Sequence, residues 1–252
     1  MIDIELAGNV AVIRLAYGKA NVLDTELCRA LTARLEEQRT RSATHAVVLT
    51  GTGSIFSAGV DLKRVLDGGA DYVKAFLPAL REVFDTLFAF PKPVVAAVNG
   101  HAIAGGCVLV CAADHRLMAN GTGRIGVPEL LVGVPFPSIA LEIMRNVIAP
   151  AQVANALYGG ATNDPVRALS LGLVDELIDA AELLPRAVAH AERLAALPPA
   201  AFETTKRQLR DPQIQRARGE LACHDDAVQR LWESPETMAR IRAYVERTLK
   251  PR

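Results

Sequence analysis

The chain has 252 residues, half of them hydrophobic, and its 28 lysines and arginines balance 28 aspartates and glutamates. Such a chain is long enough to bury a large core, either in one domain or in a core with a smaller appendage. The zero net charge and the lack of a long basic run give no electrostatic support for binding nucleic acid or an anionic membrane.

In chain order, the first predicted elements are two strands and a helix. Alternating apolar residues predict a hairpin over residues 2–15. Asp24 is a candidate N-cap for a helix over 25–41, where leucines recur at every fourth position. The short apolar run 45–51 predicts a buried strand. A loop over 51–61 then leads into the start of a helix.

The middle of the chain repeats this order of strand, loop and helix. We predict a helix over about 71–90, ended by the sequence PKP, then a strand over 93–100 and a helix over 107–113. Residues 114–119 predict another strand, and a loop-rich segment follows up to Pro137. Further helices are expected at 138–145 and 150–158. Strands that alternate with helices indicate an α/β core with parallel strands.

Beyond about residue 180 no strand pattern remains in the sequence. We expect helices over 181–197, 199–209, 213–232 and 234–248. The chain therefore divides into a mixed core, 1–195, and an all-helical C-terminal region, 196–252. Apolar residues of this region should be covered by the core or by a neighbouring subunit. They are Leu209, Leu221, Val228, Leu231, Ile241 and Val245.

The cysteines and the N-terminus bear on the compartment. None of the four cysteines forms a CxxC pair, and no cluster has metal-ligand spacing, so we expect small buried thiols, no metal site and a reducing compartment. The chain opens directly on a strand pattern, without a charged and apolar leader, and no apolar run approaches the length of a membrane span. We expect a soluble, cytoplasmic protein.

Two strand-to-helix loops share one design. In each, an apolar strand is followed by small residues and then by a helix: VVLTG to FSAGVDL, and VVAAVNG to AIAGGCV. The first N–H groups of a helix lack partners within it, and small residues let a ligand approach them closely. The N–H groups of Ala58 and Gly105 are therefore candidates for two donors to one oxygen atom, an oxyanion hole. Glycines that only permit tight backbone packing fit the same pattern.

Glu129 is the ionisable candidate near these loops. It lies in the apolar stretch GVPELLVGV, where loss of water would raise its pKa and make it a better general base. A Glu that caps a turn or points to solvent fits the stretch as well. The sequence has no phosphate-loop fingerprint, no HExxH and no GxSxG. His101 and His115 are adequately explained by loop polarity and by a strand start.

Taken together, these segments resemble the enoyl-CoA hydratase/isomerase, or crotonase, superfamily. The resemblance covers nearly the whole chain, and the order of its motifs is highly specific. It rests on KANVL at 19–23, FSAGVDLK at 56–63, PVVAAVNGHAIAGGCVLVCAADHR at 93–116, GVPELLVGV at 126–134, ALSLGLVDELI at 168–178 and TTKRQL at 204–209. It implies an α/β fold: a spiral of ββα units followed by a helical trimerisation region. It also implies a homotrimer or a dimer of trimers.

The resemblance also implies roles for residues. Ala58 and Gly105 match the two N–H donors to a thioester oxygen, and Glu129 matches the second catalytic glutamate of the hydratases. Lys19 resembles a residue near the phosphates of coenzyme A, and the backbone around Ala58 and Val60 would meet the adenine. The remaining substrate-binding positions that we expect are Ala20, Val22, Ser57, Asp61, Leu62, Gly106, Val108, Pro128 and Phe136. Coenzyme A would be part of the substrate, and no other cofactor is expected.

The sequence departs from the hydratase pattern at two places. The first hydratase glutamate, three residues after the oxyanion-hole glycine, is Val108 here. The glycine-rich turn after the second glutamate is replaced by VGVPFPS. Both departures look like the Δ3,Δ2-enoyl-CoA isomerase branch, which uses one glutamate. Moving a double bond needs one proton carrier, whereas adding water is helped by two carboxylates that hold the water between them.

Several alternatives stay open at this stage. One is a weak hydratase that takes its second acid from Asp61 or His101. Others are decarboxylation or thioester hydrolysis on the same scaffold, and a non-catalytic acyl-CoA binder. Four apolar residues could line an acyl pocket or belong to the core, namely Val22, Leu66, Phe76 and Leu80. The sequence does not determine acyl chain length, trimer against hexamer, or metabolic pathway.

Overall fold

The protein is described over residues 1–248 by a computed structural model. The strands are β1 (Ile2–Ala7), β2 (Val10–Leu15), β3 (Ala46–Thr50), β4 (Ile55–Ser57), β5 (Val94–Val98), β6 (His101–Ile103), β7 (His115–Ala119), β8 (Ile125–Gly126), β9 (Thr162–Asn163) and β10 (Glu176–Ile178). The helices are α1 (Thr25–Thr40), α2 (Leu62–Phe88), α3 (Gly105–Cys111), α4 (Glu129–Val132), α5 (Ser138–Val147), α6 (Pro150–Tyr158), α7 (Pro165–Leu171), α8 (Leu183–Ala195), α9 (Pro199–Arg218), α10 (Ala222–Glu233) and α11 (Pro235–Thr248). None of the described helices is long and apolar enough to cross a membrane.

The strands form two sheets that share one connectivity. The larger sheet has the order β1-β2-β3-β5-β7-β10, with the predicted antiparallel hairpin β1–β2 at its edge and parallel pairs elsewhere. The smaller sheet has the order β4-β6-β8-β9. In each of the pairs β3–β4, β5–β6 and β7–β8, the first strand belongs to the larger sheet and the second to the smaller sheet. A helix follows each pair. This is the spiral of ββα units that we expected, and the helical C-terminal region follows it.

The strands β3 and β5 are buried along their whole length because both faces of the larger sheet are covered. Side chains such as Val47 and Leu49 face the main core beneath α1, α2 and α3. Their neighbours Ala46 and Val48 face the opposite way, against Ala187 and Ala191 of α8. A continuous apolar run is therefore the expected sequence of these strands, and alternation is seen only at the partly exposed β1.

Three predicted boundaries were wrong. The helix expected to open after residue 61 and the one expected over about 71–90 form the single element α2, which Asp61 caps and Gly69, with φ 57°, interrupts. The helix expected to end at 209 continues through Pro212 to Arg218. Buried residues on both sides of Pro212, Arg210 and Ile214, keep one helix face against the core and outweigh the lost hydrogen bond. The strands β4, β6 and β8 were expected as loops, because two or three residues carry no periodic signal.

A buried ionic cluster ties the C-terminal helices to the spiral. Asp114, at the end of the α3 segment, lies 2.7 Å from Lys206 Nζ and 2.7 Å from Arg210 Nη2. Arg210 also donates to the carbonyls of Phe88, Ala112 and Ala113. Burial lowers the pKa of Lys206 to about 8, although the nearby Asp114 carboxylate opposes that shift. The TTKRQL motif therefore has a structural role here.

The C-terminal region covers the core only in part. Val228 and Ile241 are buried in the main core, as expected for apolar positions of this region. Leu221 and Val245 are half-buried, and Leu209 and Leu231 are 66% and 50% exposed. Since the same hydrophobic core includes residues from both sides of residue 195, the division into 1–195 and 196–252 stays a prediction.

We predict that Asp114→Ala lowers the free energy of unfolding by about 3–5 kcal/mol, because it leaves two buried cations without their carboxylate. The matched control is Asp211→Ala, which removes the exposed partner of Arg207 on the same helix and should cost less than about 1 kcal/mol. Urea unfolding of both variants at neutral pH measures the difference. Equal costs for the two variants would contradict the structural role of the cluster.

Candidate active site

The two glycine loops pack against each other through their backbones. A Cβ added at Gly59, whose φ is 83°, would lie 2.6 Å from the carbonyl oxygen of Ile103. A Cβ added at Gly106 would lie 2.5 Å from the carbonyl oxygen of Ser57. Neither contact leaves room for a side chain, so the glycines allow the start of α2 and the start of α3 to meet.

The segment 19–23 braces the first loop from the other side. The buried Asn21 donates from Nδ2 to the carbonyls of Ile55 and Phe56, and its Oδ1 accepts from the Tyr17 N–H. The Ser57 hydroxyl donates to the Asn21 carbonyl at 2.7 Å and accepts from the Gly59 N–H at 3.2 Å. The KANVL motif therefore holds the first glycine loop in place.

The backbone donors of the two loops differ from those we predicted. The Ala58 N–H donates to the Ala20 carbonyl at 2.9 Å, so the expectation that it is an oxyanion donor was wrong. Among the described residues, the N–H groups of Val60 and Gly105 have no hydrogen-bond partner. Leu23 causes this arrangement, since it pairs with Gly59 and Asp61 on either side of Val60 and leaves the intervening N–H free.

The second loop is strained at the residue before its donor. Ala104 has φ 53° and ψ −126°, a conformation that residues with a side chain rarely adopt. Its N–H donates to the Gly126 carbonyl, and its own carbonyl accepts from Cys107 and Val108. These contacts hold the turn that leaves the Gly105 N–H unpaired at the start of α3.

A cavity of about 80 Å³ lies beside these donors. Its walls come from both loops, from α4 and α5, and from the C-terminal helices. They are Ala58, Val60, Leu62, Leu80, Phe84, Ile103, Ala104, Gly105, Val108, Pro128, Glu129, Val132, Val134, Pro135, Phe136, Pro137, Ala140, Trp232 and Tyr244. Among the described residues that line it, Glu129 is the only carboxylate.

Glu129 is buried at the start of α4, as the apolar neighbours in the sequence predicted. Its Oε2 is buried without a hydrogen-bond partner among the described residues. Loss of water raises the pKa of Glu129 to about 8, and a hydrogen bond from its own backbone only partly opposes this. A carboxylate with such a pKa is suited to accept a proton near neutral pH and to return it.

The structure brings together eight of the fourteen predicted site residues around this cavity. These are Ala58, Val60, Leu62, Gly105, Val108, Pro128, Glu129 and Phe136. The other six do not line it: Lys19 is exposed, and Ala20, Val22, Ser57, Asp61 and Gly106 belong to or flank the interlocked loops. Of the further acyl-pocket candidates, Leu80 lines the cavity and Leu66 and Phe76 do not.

The structure also bears on two alternatives that the sequence left open and on the expectation of buried thiols. A Cβ at Gly105 would meet the Leu23 side chain at 2.7 Å, so core packing is one reason for this glycine. Asp61 caps α2, and His101 accepts from the Arg124 N–H; neither lines the cavity as a second acid would. Cys223 is exposed, whereas Cys28, Cys107 and Cys111 are buried thiols as expected.

The sequence analysis missed the aromatic residues that close the cavity. Trp232, the one tryptophan of the chain, is 2% exposed and donates from Nε1 to the Pro135 carbonyl at 3.1 Å. Tyr244 of α11 completes the same wall. The one feature of the sequence that could have indicated this wall is the single tryptophan, which lies in a helical region of otherwise mixed polarity. Its position over the cavity depends on how the C-terminal helices fold back.

Comparisons with known proteins agree on one family. The family model described as "Enoyl-CoA hydratase/isomerase" matches residues 5–251. A Thermus thermophilus protein with the provisional name enoyl-CoA hydratase is 34% identical over 213 residues, 83% of each chain. The mouse "Enoyl-CoA delta isomerase 1, mitochondrial" is 29% identical over 212 residues, covering 83% of this chain and 73% of its own. The crystal structure of human mitochondrial Δ3-Δ2-enoyl-CoA isomerase superposes with a TM-score of 0.91 at 25% identity, over 98% of this chain and 97% of its own.

We predict that Glu129→Gln becomes progressively more stable than the wild type as the pH rises. The pKa of Glu129 is raised from 4.5 in the unfolded chain to about 8 in the folded protein. Between these values only the folded wild type keeps the proton, so its stability falls with rising pH by about 1.4 kcal/mol per unit. The glutamine variant carries no such proton, and urea unfolding of both proteins at pH 5, 6.5 and 8 should show the widening gap. A pH-independent difference would show that burial does not hold the proton on this carboxyl.

Proposed function

The chain belongs to the enoyl-CoA hydratase/isomerase family and is an acyl-CoA enzyme, and from that premise we propose that it isomerises 3-enoyl-CoA thioesters to 2-trans-enoyl-CoA. The observation that carries the proposal is the single carboxylate, Glu129, in a cavity where Val108 takes the place of a second one. The mouse and human relatives named as isomerases support the same choice.

The first proposed step is activation of the thioester. The free N–H groups of Val60 and Gly105 would both donate to its carbonyl oxygen. When the C2–H bond breaks, its electrons form a C1–C2 double bond and negative charge moves onto that oxygen. Fixed backbone donors stabilise this charge without having to reorganise.

The second proposed step is the transfer of one proton by Glu129. Its carboxylate accepts the proton from C2 and then returns it to C4. The electrons of the C3–C4 double bond take up that proton, and the C1–C2 double bond shifts to C2–C3 as the thioester carbonyl re-forms. One carboxyl group therefore serves as base and acid, and no group other than the acyl-CoA itself is consumed.

Hydration is the second candidate, because some relatives bear the name hydratase. It requires a water molecule held opposite the carboxylate, with a second group to accept or donate its proton. Val108, which lines the same cavity as Glu129, is buried and offers no hydrogen bond to a water, so it favours exclusion of water. We therefore consider isomerisation better supported than hydration.

The proposal extends to the compartment and the cofactor. Three buried free thiols support a reducing compartment, and we propose the cytoplasm. No cofactor beyond the coenzyme A of the substrate is needed for the proposed steps.

We expect Glu129→Gln to lower the isomerisation rate by about two to four orders of magnitude, because an amide of the same size cannot take the C2 proton. Conversion of a 3-enoyl-CoA to the conjugated 2-enoyl-CoA is followed by its absorbance. Binding of a saturated acyl-CoA should persist in this variant, which separates lost chemistry from a lost site. Unchanged turnover would mean that another residue carries the proton.

The variant Val108→Glu tests the choice between the two reactions. It places a second carboxylate in the cavity wall, where a water could be held against Glu129. Hydration of crotonyl-CoA should rise from background, while stability falls because a carboxyl group is buried. A wild-type protein that hydrates crotonyl-CoA as fast as it isomerises a 3-enoyl-CoA would overturn the proposed function.

We also propose that the protein forms a homotrimer or a dimer of trimers. Three leucines on the C-terminal helices and their connection support association, namely Leu197, Leu209 and Leu231, which are 46%, 66% and 50% exposed. Apolar side chains at this exposure fit a surface that another subunit covers. Sedimentation velocity at micromolar concentration should show a trimer or its multiple, and a clean monomer would contradict the proposal.

A further inference from the structure

A second, open groove lies on the other side of the wall that carries Glu129. Its volume is about 720 Å³, within the range of roughly 300–1,000 Å³ found for ligand pockets, whereas the cavity beside Glu129, at about 80 Å³, is far below that range. One side of the groove is apolar, formed by Leu130, Pro135, Phe136, Leu141, Val153 and Leu157. The other side carries Arg145 and Arg216, both facing the buried Glu142 carboxylate.

The wall between the cavity and the groove is one residue thick in places. In α4, Glu129 lines the cavity and its neighbour Leu130 lines the groove. In α5, Ala140 lines the cavity and Leu141 lines the groove. The loop between these helices has Pro135 and Phe136, which line both. The other large groove, about 730 Å³ between α1, α8 and α9, shares no lining residue with the cavity.

From this shared wall we propose that the groove binds the distal part of the acyl chain, so that the preferred substrates are medium- or long-chain acyl-CoA thioesters. The inference rests on the proposed function only in taking an acyl-CoA as the ligand, and it holds whichever reaction the carboxylate performs. The thioester end would lie at Val60 and Gly105, the reacting carbons at Glu129, and the tail beyond Phe136.

The loop chemistry fits such a passage. Pro135 and Pro137 restrict the backbone on either side of Phe136, and the Trp232 indole holds the Pro135 carbonyl. Rotation of the Phe136 side chain, which is half-buried, would then join the two spaces without moving the helix that holds Glu129. Each methylene group that is buried from water adds to the affinity, so a tail seated in the groove raises affinity steeply with its length.

The test compares the affinity of the full-length protein for two saturated thioesters, dodecanoyl-CoA and butanoyl-CoA, by calorimetry. The wild type should bind dodecanoyl-CoA at least tenfold more tightly. Val153→Arg, which puts a charged side chain into the groove from α6, should lose most of this preference. The control, Gln152→Arg, adds the same charge at an exposed neighbouring position of that helix that does not line the groove, and should keep the preference.

A second pair covers the case in which Val153→Arg does not fold. Leu130→Arg changes an exposed residue that lines the groove, and Leu131→Arg changes its exposed neighbour that does not. Equal affinity of the wild type for both thioesters, or a preference that survives Val153→Arg or Leu130→Arg, overturns the inference. So does a change in sedimentation without a change in preference, which would make the groove an interface between copies. Failure to bind either thioester contradicts the proposed function itself.

Discussion

The contact between the two glycine loops is the constraint on which the rest of the site depends. Gly106 lies so close to the Ser57 carbonyl, and Gly59 so close to that of Ile103, that the starts of α2 and α3 meet without intervening side chains. This contact sets the two free N–H groups, at Val60 and Gly105, beside one cavity. The supports around it, Asn21 and the Ser57 hydroxyl, use nearly all their hydrogen-bonding capacity to hold it.

The apolar lining of the cavity has two consequences that oppose each other. It strengthens the interaction between backbone donors and a charged oxygen, because a low local dielectric screens that interaction less. It also raises the pKa of Glu129 to about 8, which leaves most of this carboxyl protonated at neutral pH and so inactive as a base. The loss is moderate because a pKa near the working pH favours both acceptance and return of a proton.

The C-terminal helices take part in the site as well as in the fold. Trp232 and Tyr244 close the cavity, and α9 is fastened to the spiral by the buried ions around Asp114. The helices that carry Trp232 and Tyr244 are therefore held in place partly by the ion pairs of Asp114. This residue follows the C-terminal end of α3, the helix that begins with the Gly105 donor.

The sequence by itself determined the α/β class, the positions of the buried strands along the chain and the position of Glu129 among apolar neighbours, because these depend on local patterns of hydrophobic residues. It also pointed to the correct two loops. Only the tertiary structure decided which N–H group in the first loop is free. The carbonyl of Ala20, which is distant in sequence, accepts a hydrogen bond from the Ala58 N–H, whereas the Val60 N–H has no partner among the described residues. Tertiary structure likewise decided that Pro212 does not end α9, that Asp61 and His101 lie outside the cavity, and that Trp232 closes it. Each of these depends on contacts between residues far apart in the chain, for which a local pattern carries no signal.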